Sequence, residues 1–288
     1  MVASESLVRM TLTPADVAGG LALSGAAGWN QTREDWQLFI GHGDAVGLKD
    51  EAGTLVATAA ALPYGRGPGG QGWISMVLVH PDWRQRGLAT QLLEDCVKAL
   101  QARGVTPVLD ATPAGAPVYR RLGFVDGFEL ARWEGDAQAL PLQVAARVRE
   151  AGAHDVDAIC ALDAQVTGLD RGFLLQDLLA RDGAQAVVMR NGSGFAVTRP
   201  GTRATQIGPL VAAHEDDAQA LLEAALERVR GRVFLDLPDR WRGLAQWLGA
   251  RGFARQRPFL RMSLSSQTPA PHARADDRQF LLVGPEFG

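Results

Sequence analysis

The stretch WISMVLVHPDWRQRGLAT, Trp73 to Thr90, decides the fold. Trp73 to Val79 is rich in β-formers and reads as a strand, which Pro81 stops. From Leu88 the period changes. Leu88, Leu92, Cys96 and Leu100 recur every four residues with Leu93 and Val97 beside them, which predicts an amphipathic helix. Between strand and helix lies Arg84-Gln85-Arg86-Gly87-Leu88-Ala89. A strand end, a tight turn and a helix start aim backbone N–H groups and the positive end of the helix dipole at one point. Gly87 and Ala89 are small enough for a ligand to approach the backbone, and Arg84 and Arg86 add positive charge. The pattern suits a pyrophosphate. A basic turn that merely opens a helix would use the same residues. The position after an apolar strand and Val79-His80-Pro81, with Tyr119 and Gly123-Phe124 downstream, favours the phosphate reading.

Upstream, Leu7 to Thr11 reads as a strand, and Thr13-Pro14-Ala15-Asp16 and Thr32 with Asp35 read as helix starts. Ala45 to Leu48 and Thr54 to Leu62 are strands, followed by the glycine-rich loop Gly65 to Gly72. Downstream come a short strand Pro107 to Leu109, a short helix Ala114 to Leu122 closed by Gly123, and strands over Phe124 to Trp133. The same order then returns: Leu142 to Val148 (strand), Asp155 to Leu162 and Leu174 to Leu179 (helices), and a hairpin around Asn191-Gly192. After it come Thr205 to Val211 (strand), Asp217 to Val229 (helix), Val233 to Leu237 (strand) and Leu244 to Ala250 (helix). Tyr119-Arg120-Arg121-Leu122-Gly123-Phe124 falls over Leu248-Gly249-Ala250-Arg251-Gly252-Phe253, and each closes a short helix with Gly-Phe. Two copies of one α/β fold follow from this repeat. The expected organisation is a first domain over 1–134, a linker over 135–141, a diverged second copy over 142–264, and a polar tail over 265–288 in which Phe280 to Val283 adds a final strand.

The chain has room for two cores, with 288 residues and 47% hydrophobic content. A formal net charge of −3 gives no reason to expect nucleic acid or an anionic membrane as partner. Cys96 and Cys160 lie far apart, which fits a reduced, cytoplasmic setting. No apolar run reaches the roughly 18 residues a membrane span needs, and the start lacks a secretory pattern. No metal site is expected, and monomer and homodimer both stay open.

Val77-Leu78-Val79-His80-Pro81 followed by Arg84-x-x-Gly87-x-Ala89 resembles motif A of the GNAT acyltransferase superfamily. Tyr119 to Phe124 is similar to its downstream helix motif, and the resemblance covers most of residues 7–134. The tandem arrangement resembles a bacterial subgroup with a second, diverged copy. Ala111-Thr112-Pro113-Ala114-Gly115, Gly208-Pro209-Leu210 and Val283-Gly284-Pro285-Glu286 fit that subgroup. The resemblance implies an α/β (α+β) class with two tandem GNAT-like domains, each a mixed, mostly antiparallel twisted sheet flanked by helices.

It also implies a site. The strand Trp73–Val79 splays from Pro107–Leu109, and backbone groups of Val77, Leu78 and Val79 bind the pantetheine arm of acetyl-CoA. The amides of Gln85, Arg86, Gly87, Leu88, Ala89 and Thr90, with Arg84, take its pyrophosphate. Tyr119 protonates the leaving thiolate, or else only packs against the cofactor. The acceptor is an amine, of a small molecule or a protein. Asp110 is the candidate base; Glu34, Asp35 and His42 are weighed as surface or capping residues, and His80 as structural. Trp29 and Asn30 are candidates for lining the acceptor site, with a simple turn as the alternative. Arg171 is a candidate for a ligand's carboxylate or phosphate, with a surface turn as the alternative. One departure is Thr112, where many members carry Asn. In the second half, Ala212-Ala213-His214-Glu215-Asp216-Asp217 replaces the phosphate loop, and its carboxylates would repel a pyrophosphate. Leu248 stands in place of Tyr119. An acetyltransferase with one working half is the reading, and a non-catalytic acyl-CoA sensor is the alternative.

Overall fold

The computed structural model describes residues 6–67, 69–137, 146–264 and 277–288. The chain forms two compact units, Met1–Val108 and Leu109–Gly288. Among the described residues, no helix is long and apolar enough to cross a membrane.

The first unit runs β1 (Val8–Thr11), α1 (Val17–Ala26), α2 (Arg33–His42), β2 (Asp44–Lys49), β3 (Leu55–Tyr64), β4 (Gln71–Val79), α3 (Leu88–Ala102) and into β5 (Thr106–Ala111), within which the chain passes to the second unit. Strands β1 to β4 pair antiparallel in sequence order, and β4 pairs β5 in parallel. The Thr32–Asp35 capping box opens α2 as expected, which makes Asp35 a structural residue. Leu92, Leu93, Cys96 and Leu100 of α3 are buried, as its period requires. Ala57, Ala59, Ala60 and Ala61 give β3 a flat surface on which helices lie close. The same economy appears at Gly20, where a Cβ would meet the Trp36 ring at 2.5 Å.

The second unit holds α4 (Ala116–Arg121), β6 (Val125–Asp136), β7 (Val148–Glu150), α5 (Val156–Thr167), α6 (Gly172–Ala180), β8 (Gln185–Met189) and β9 (Phe195–Arg199). It continues with β10 (Thr205–Val211), α7 (Glu215–Glu227), β11 (Arg232–Pro238), α8 (Arg242–Gly249), β12 (Ala254–Ser263) and β13 (Gln279–Leu281). Its strand order is β12-β6-β11-β10-β9-β8-β7, with β13 on β10. Only β10 and β11 run parallel; the other neighbours are antiparallel. The core lies between this sheet and α7 and α8 around Leu221, Leu222, Leu235, Leu244 and Leu248.

The units part ahead of the linker placed at 135–141, and the reason is β6. By sequence it ends the first copy. In space it lies between β11 and β12, pairing Asp136–Leu130 with Arg232–Pro238 and Glu134–Val125 with Ala254–Ser263. Both edges of β6 are thereby satisfied inside the second unit. The strand expected over Leu142–Val148 is found at Val148–Glu150; Leu142–Ala145 and the polar tail Ser265–Asp276 lie outside the described residues. The final strand expected around Phe280 is β13.

Candidate active site

The first unit brings Val77–Val79 and Arg84–Thr90 together as one strand, turn and helix start. The β4–β5 ladder consists of Gln71↔Thr106, Gly72↔Pro107 and Trp73↔Val108, and β4 runs on from Ile74 to Val79. Beyond Trp73 only the β3 edge of β4 is paired within this unit, so the other edge offers its backbone groups.

That stretch is not a regular strand. Thr58 pairs with Leu78 and Ala60 with Ser75, so β4 carries one residue more than β3 across this interval. The bulge centres on Met76, whose φ of 54° is rare for a residue with a side chain. Thr58 Oγ1 donates to the Met76 carbonyl oxygen at 2.8 Å and holds it in place. A bulge turns neighbouring amides out of the ladder, which is what a strand needs to polarise a carbonyl lying along it. Thr58 went unnoticed in the sequence; its signal was a single hydroxyl in the run Ala57 to Ala61.

After β4, His80 N–H donates to Val56 O at 2.8 Å, and His80 Nδ1 accepts from Asp82 N at 3.4 Å. His80 therefore shapes the turn, as expected. Arg84 Nε donates to Val79 O, and the Arg86 guanidinium lies 4.6 Å over the Trp83 ring. Gln85 at φ 63° and Gly87 at φ 75° twist the loop left-handed, which turns successive N–H groups to a common side. Among the described residues nothing lies within 4 Å of a Cβ on Gly87, so its glycine answers the backbone angle rather than crowding. As N-cap of α3, Gly87 supplies no side-chain hydrogen bond. The first-turn N–H groups of the helix thus lack an intrahelical partner or a side-chain cap and suit an anion. Arg84, Gln85, Arg86 and Gly87 are all exposed.

Asn30 and Gln31 are buried between α1 and α2, and Gln31 Oε1 is buried with no hydrogen-bond donor among the described residues. Trp29 N–H donates to Ser24 O, closing α1.

In the second unit, the Tyr119 ring packs 6.1 Å from Phe124 and against Gly115, where a Cβ would meet it at 2.9 Å. Its hydroxyl makes no hydrogen bond among the described residues. Burial raises its pKa above the ordinary phenol value, so the proton is in place at neutral pH. Thr112, the departure noted above, accepts Gly115 N–H through Oγ1 at 3.2 Å and caps the turn into α4.

Two expectations are corrected. The Asp110 side chain is fully buried and takes a bidentate pair of hydrogen bonds from Arg261 at 2.9 and 2.8 Å. Burial pushes its carboxyl up and Arg261 opposes this. Its oxygens are committed to a guanidinium, which removes it as the base. Arg171 is fully buried, not at a surface: it grips Asp163 at 2.8 and 3.0 Å and donates to the Gly288 carbonyl oxygen. Its role is to tie α5 to the last residues of the chain.

The second copy repeats the strand geometry and then closes it. The β10–β11 ladder consists of Thr205↔Val233, Gln206↔Phe234 and Ile207↔Leu235, and β10 breaks register with β9 between Ile207 and Leu210. In the place where β4 leaves an edge, β13 pairs with Leu210 and Val211. Leu282 N–H donates to Asp236 O on β11, and Phe280 stacks on Trp241 at 4.0 Å. Glu215, at the start of α7, accepts Leu244 N–H at 2.6 Å and caps α8. Backbone fills the gap, and a carboxylate occupies the helix start.

Residues 24–124 match the family described as "Acetyltransferase (GNAT) family", and residues 159–275 match the "Acetyltransferase (GNAT) domain". Among solved structures, a candidate acetyltransferase from Pyrococcus horikoshii is similar with a TM-score of 0.81 at 19% identity, covering 98% of this chain and 96% of that one. A tandem GNAT protein from the clavulanic acid biosynthesis pathway gives 0.64 at 17%, covering 90% and 98%. A GCN5-related N-acetyltransferase from Sphaerobacter thermophilus gives 0.63 at 16%, covering 89% and 95%. At these identities the likeness is one of fold. No curated protein matches the sequence significantly.

Proposed function

Because this chain is a tandem GNAT protein, a class whose chemistry is acyl transfer, we propose that its first copy transfers an acetyl group from acetyl-CoA to a primary amine by direct attack in a ternary complex. The observation that carries this is the strand from Ile74 to Val79, bulged at Met76 and leading straight into a left-handed loop and an uncapped helix start. Acetyl-CoA supplies the activated acyl thioester. The loop from Gln85 to Thr90 binds the pyrophosphate through N–H groups, and Arg84 and Arg86 add charge. Backbone N–H groups of Val77 to Val79 orient the pantetheine arm and polarise the thioester carbonyl. Tyr119 holds a proton for the leaving sulfur. The amine's proton leaves to a group other than Asp110.

Release of free thiol from acetyl-CoA, measured across a panel of amines, tests the assignment. The wild type turns over with at least one amine, and Tyr119→Phe lowers kcat with little change in CoA affinity. Acetyl-CoA binding without thiol release across the panel would assign a sensor instead. An unchanged kcat in Tyr119→Phe would remove that residue from the mechanism.

A further inference from the structure

The second unit holds a cleft of about 430 Å³, built from the end of β5, from α4, and from β6 and β12. Small-ligand sites run from roughly 300 to 1,000 Å³, so the volume suits a small molecule. Three charged side chains line it: Arg120 of α4, Glu129 of β6 and Arg255 of β12. Its apolar walls include Pro113 ahead of α4, Ala116 in α4 and Leu260 of β12. Leu260 stands opposite Glu129 in the antiparallel register, so their side chains share one face of the sheet. Pro113 is exposed and Leu260 half-buried, which leaves carbon surface for a ligand to cover.

Both arginines are engaged outside the cleft. Arg120 Nε and Nη2 donate to Asp126 at 2.9 and 2.7 Å, and Arg255 Nη2 donates to Asp239. Neither aspartate belongs to the lining. Glu129 differs. Exposed, its carboxylate makes no hydrogen bond or ion pair among the described residues, although two guanidiniums share its cleft.

The charge balance selects the ligand. Arg120 with Asp126 and Arg255 with Asp239 cancel as pairs, so the lining keeps the single negative charge of Glu129. Arg257 does not alter this count at the lining. It stands opposite Arg132, which lies three residues from Glu129 on β6 and therefore on the other face of the sheet. One unmatched carboxylate among apolar walls suits a small organic cation, and a primary ammonium offers three N–H donors at one end of a carbon chain. We infer that this cleft binds a small primary alkylammonium, its N–H groups on Glu129 and its carbon chain on Pro113, Ala116 and Leu260. Binding there requires neither acetyl-CoA nor turnover.

Thermal unfolding of the intact chain with n-butylammonium chloride, at constant ionic strength set by sodium chloride, tests this, with sodium butyrate in a parallel series. The expected result is a saturable rise in Tm with butylammonium, none with butyrate, and loss of the butylammonium response in Glu129→Gln. In sodium chloride alone, Glu129→Gln should melt with the wild type, because the carboxylate has no partner to lose. A missing response in the wild type, or a rise with butyrate, would overturn the inference. An equal response in Glu129→Gln would place the ammonium elsewhere and overturn it as well. So would a lower Tm of Glu129→Gln in sodium chloride alone, which would make Glu129 a structural residue.

Discussion

Replacing Thr58 with valine asks whether the bulge in β4 is locked by one hydroxyl. Thr58 is fully buried, and its Oγ1 donates to Met76 O at 2.8 Å. Valine keeps the shape and removes the donor. A neutral hydrogen bond contributes about 1 kcal/mol net, but a buried carbonyl left unpaired costs about 1–3 kcal/mol. Against this stands the left-handed backbone of Met76, which costs roughly 1–2 kcal/mol for a residue with a Cβ. The two magnitudes are comparable. Losing Thr58 should therefore let the bulge relax toward regular register as well as lower global stability. In urea unfolding, the midpoint should fall by the equivalent of about 1–3 kcal/mol at unchanged slope. In the thiol-release assay kcat should fall about tenfold, which corresponds to about 1.4 kcal/mol of lost carbonyl polarisation. The affinity for CoA should change little, because the loop Arg84–Ala89 is untouched. Adding Met76→Gly removes the left-handed cost and should recover part of the stability. Wild-type unfolding together with wild-type kcat in Thr58→Val would refute the lock. Lost stability with unchanged kcat would leave the lock standing but sever it from the chemistry.

Phe280→Ala should cost about 3–5 kcal/mol in the same unfolding experiment, since the ring is 1% exposed and stacked on Trp241. It should leave CoA affinity unchanged, and a weakened affinity would show that the second copy takes part in binding. Asp155 is held well below the usual carboxylate range by the hydrogen bonds of Arg149, then by Gly152 N–H. With the folded pKa below the unfolded value of about 3.9, its stabilisation is present above that pH and is lost as the pH falls through the folded pKa. Arg149→Ala should accordingly lower Tm at neutral pH, and the gap to wild type should shrink as pH drops below about 4. A gap that stays constant with pH would assign the effect of Arg149 to packing.

The backbone of the candidate site was largely legible because it is local. The loop Arg84–Ala89 and the buried face of α3 lie within one run of sequence, where period and turn residues determine the backbone. The Gly-Phe closures of α4 and α8 carried the repeat for the same reason. The bulge at Met76 was not legible, because a methionine at positive φ runs against its own preference and is imposed by Thr58 on another strand. Asp110 was misread for a similar reason. Its partner Arg261 lies 151 residues away, and nothing in a single sequence announces so distant a pair. Arg171 and Asp163 are only eight apart, yet an Arg in a loop reads as exposed unless its burial is known. The compact units divide ahead of β6, whose alternation reveals a strand but not which neighbours it takes.

The two copies share more than element order. In each, a parallel ladder ends at its third pair, and the same strand breaks register with its antiparallel neighbour just beyond, at Met76 in β4 and at Gly208-Pro209 in β10. Such a break leaves a strand edge that needs a partner, because a buried unpaired backbone group costs free energy. In the second copy the chain supplies that partner itself as Gln279–Leu282, and a Cβ on Gly208 would lie 1.9 Å from Leu282 O. The approach is so close that only glycine fits, so the filling is built into β10 and is not a loose tail lying across it. The second copy thus combines a filled edge with an acidic stretch, Glu215–Asp217, at the start of the following helix. Once the edge is paired internally, an extended pantetheine arm has no backbone left to bind there, and a loop for its pyrophosphate serves no purpose. The first copy has both the edge and the loop, and this difference predicts one acyl-CoA bound per chain.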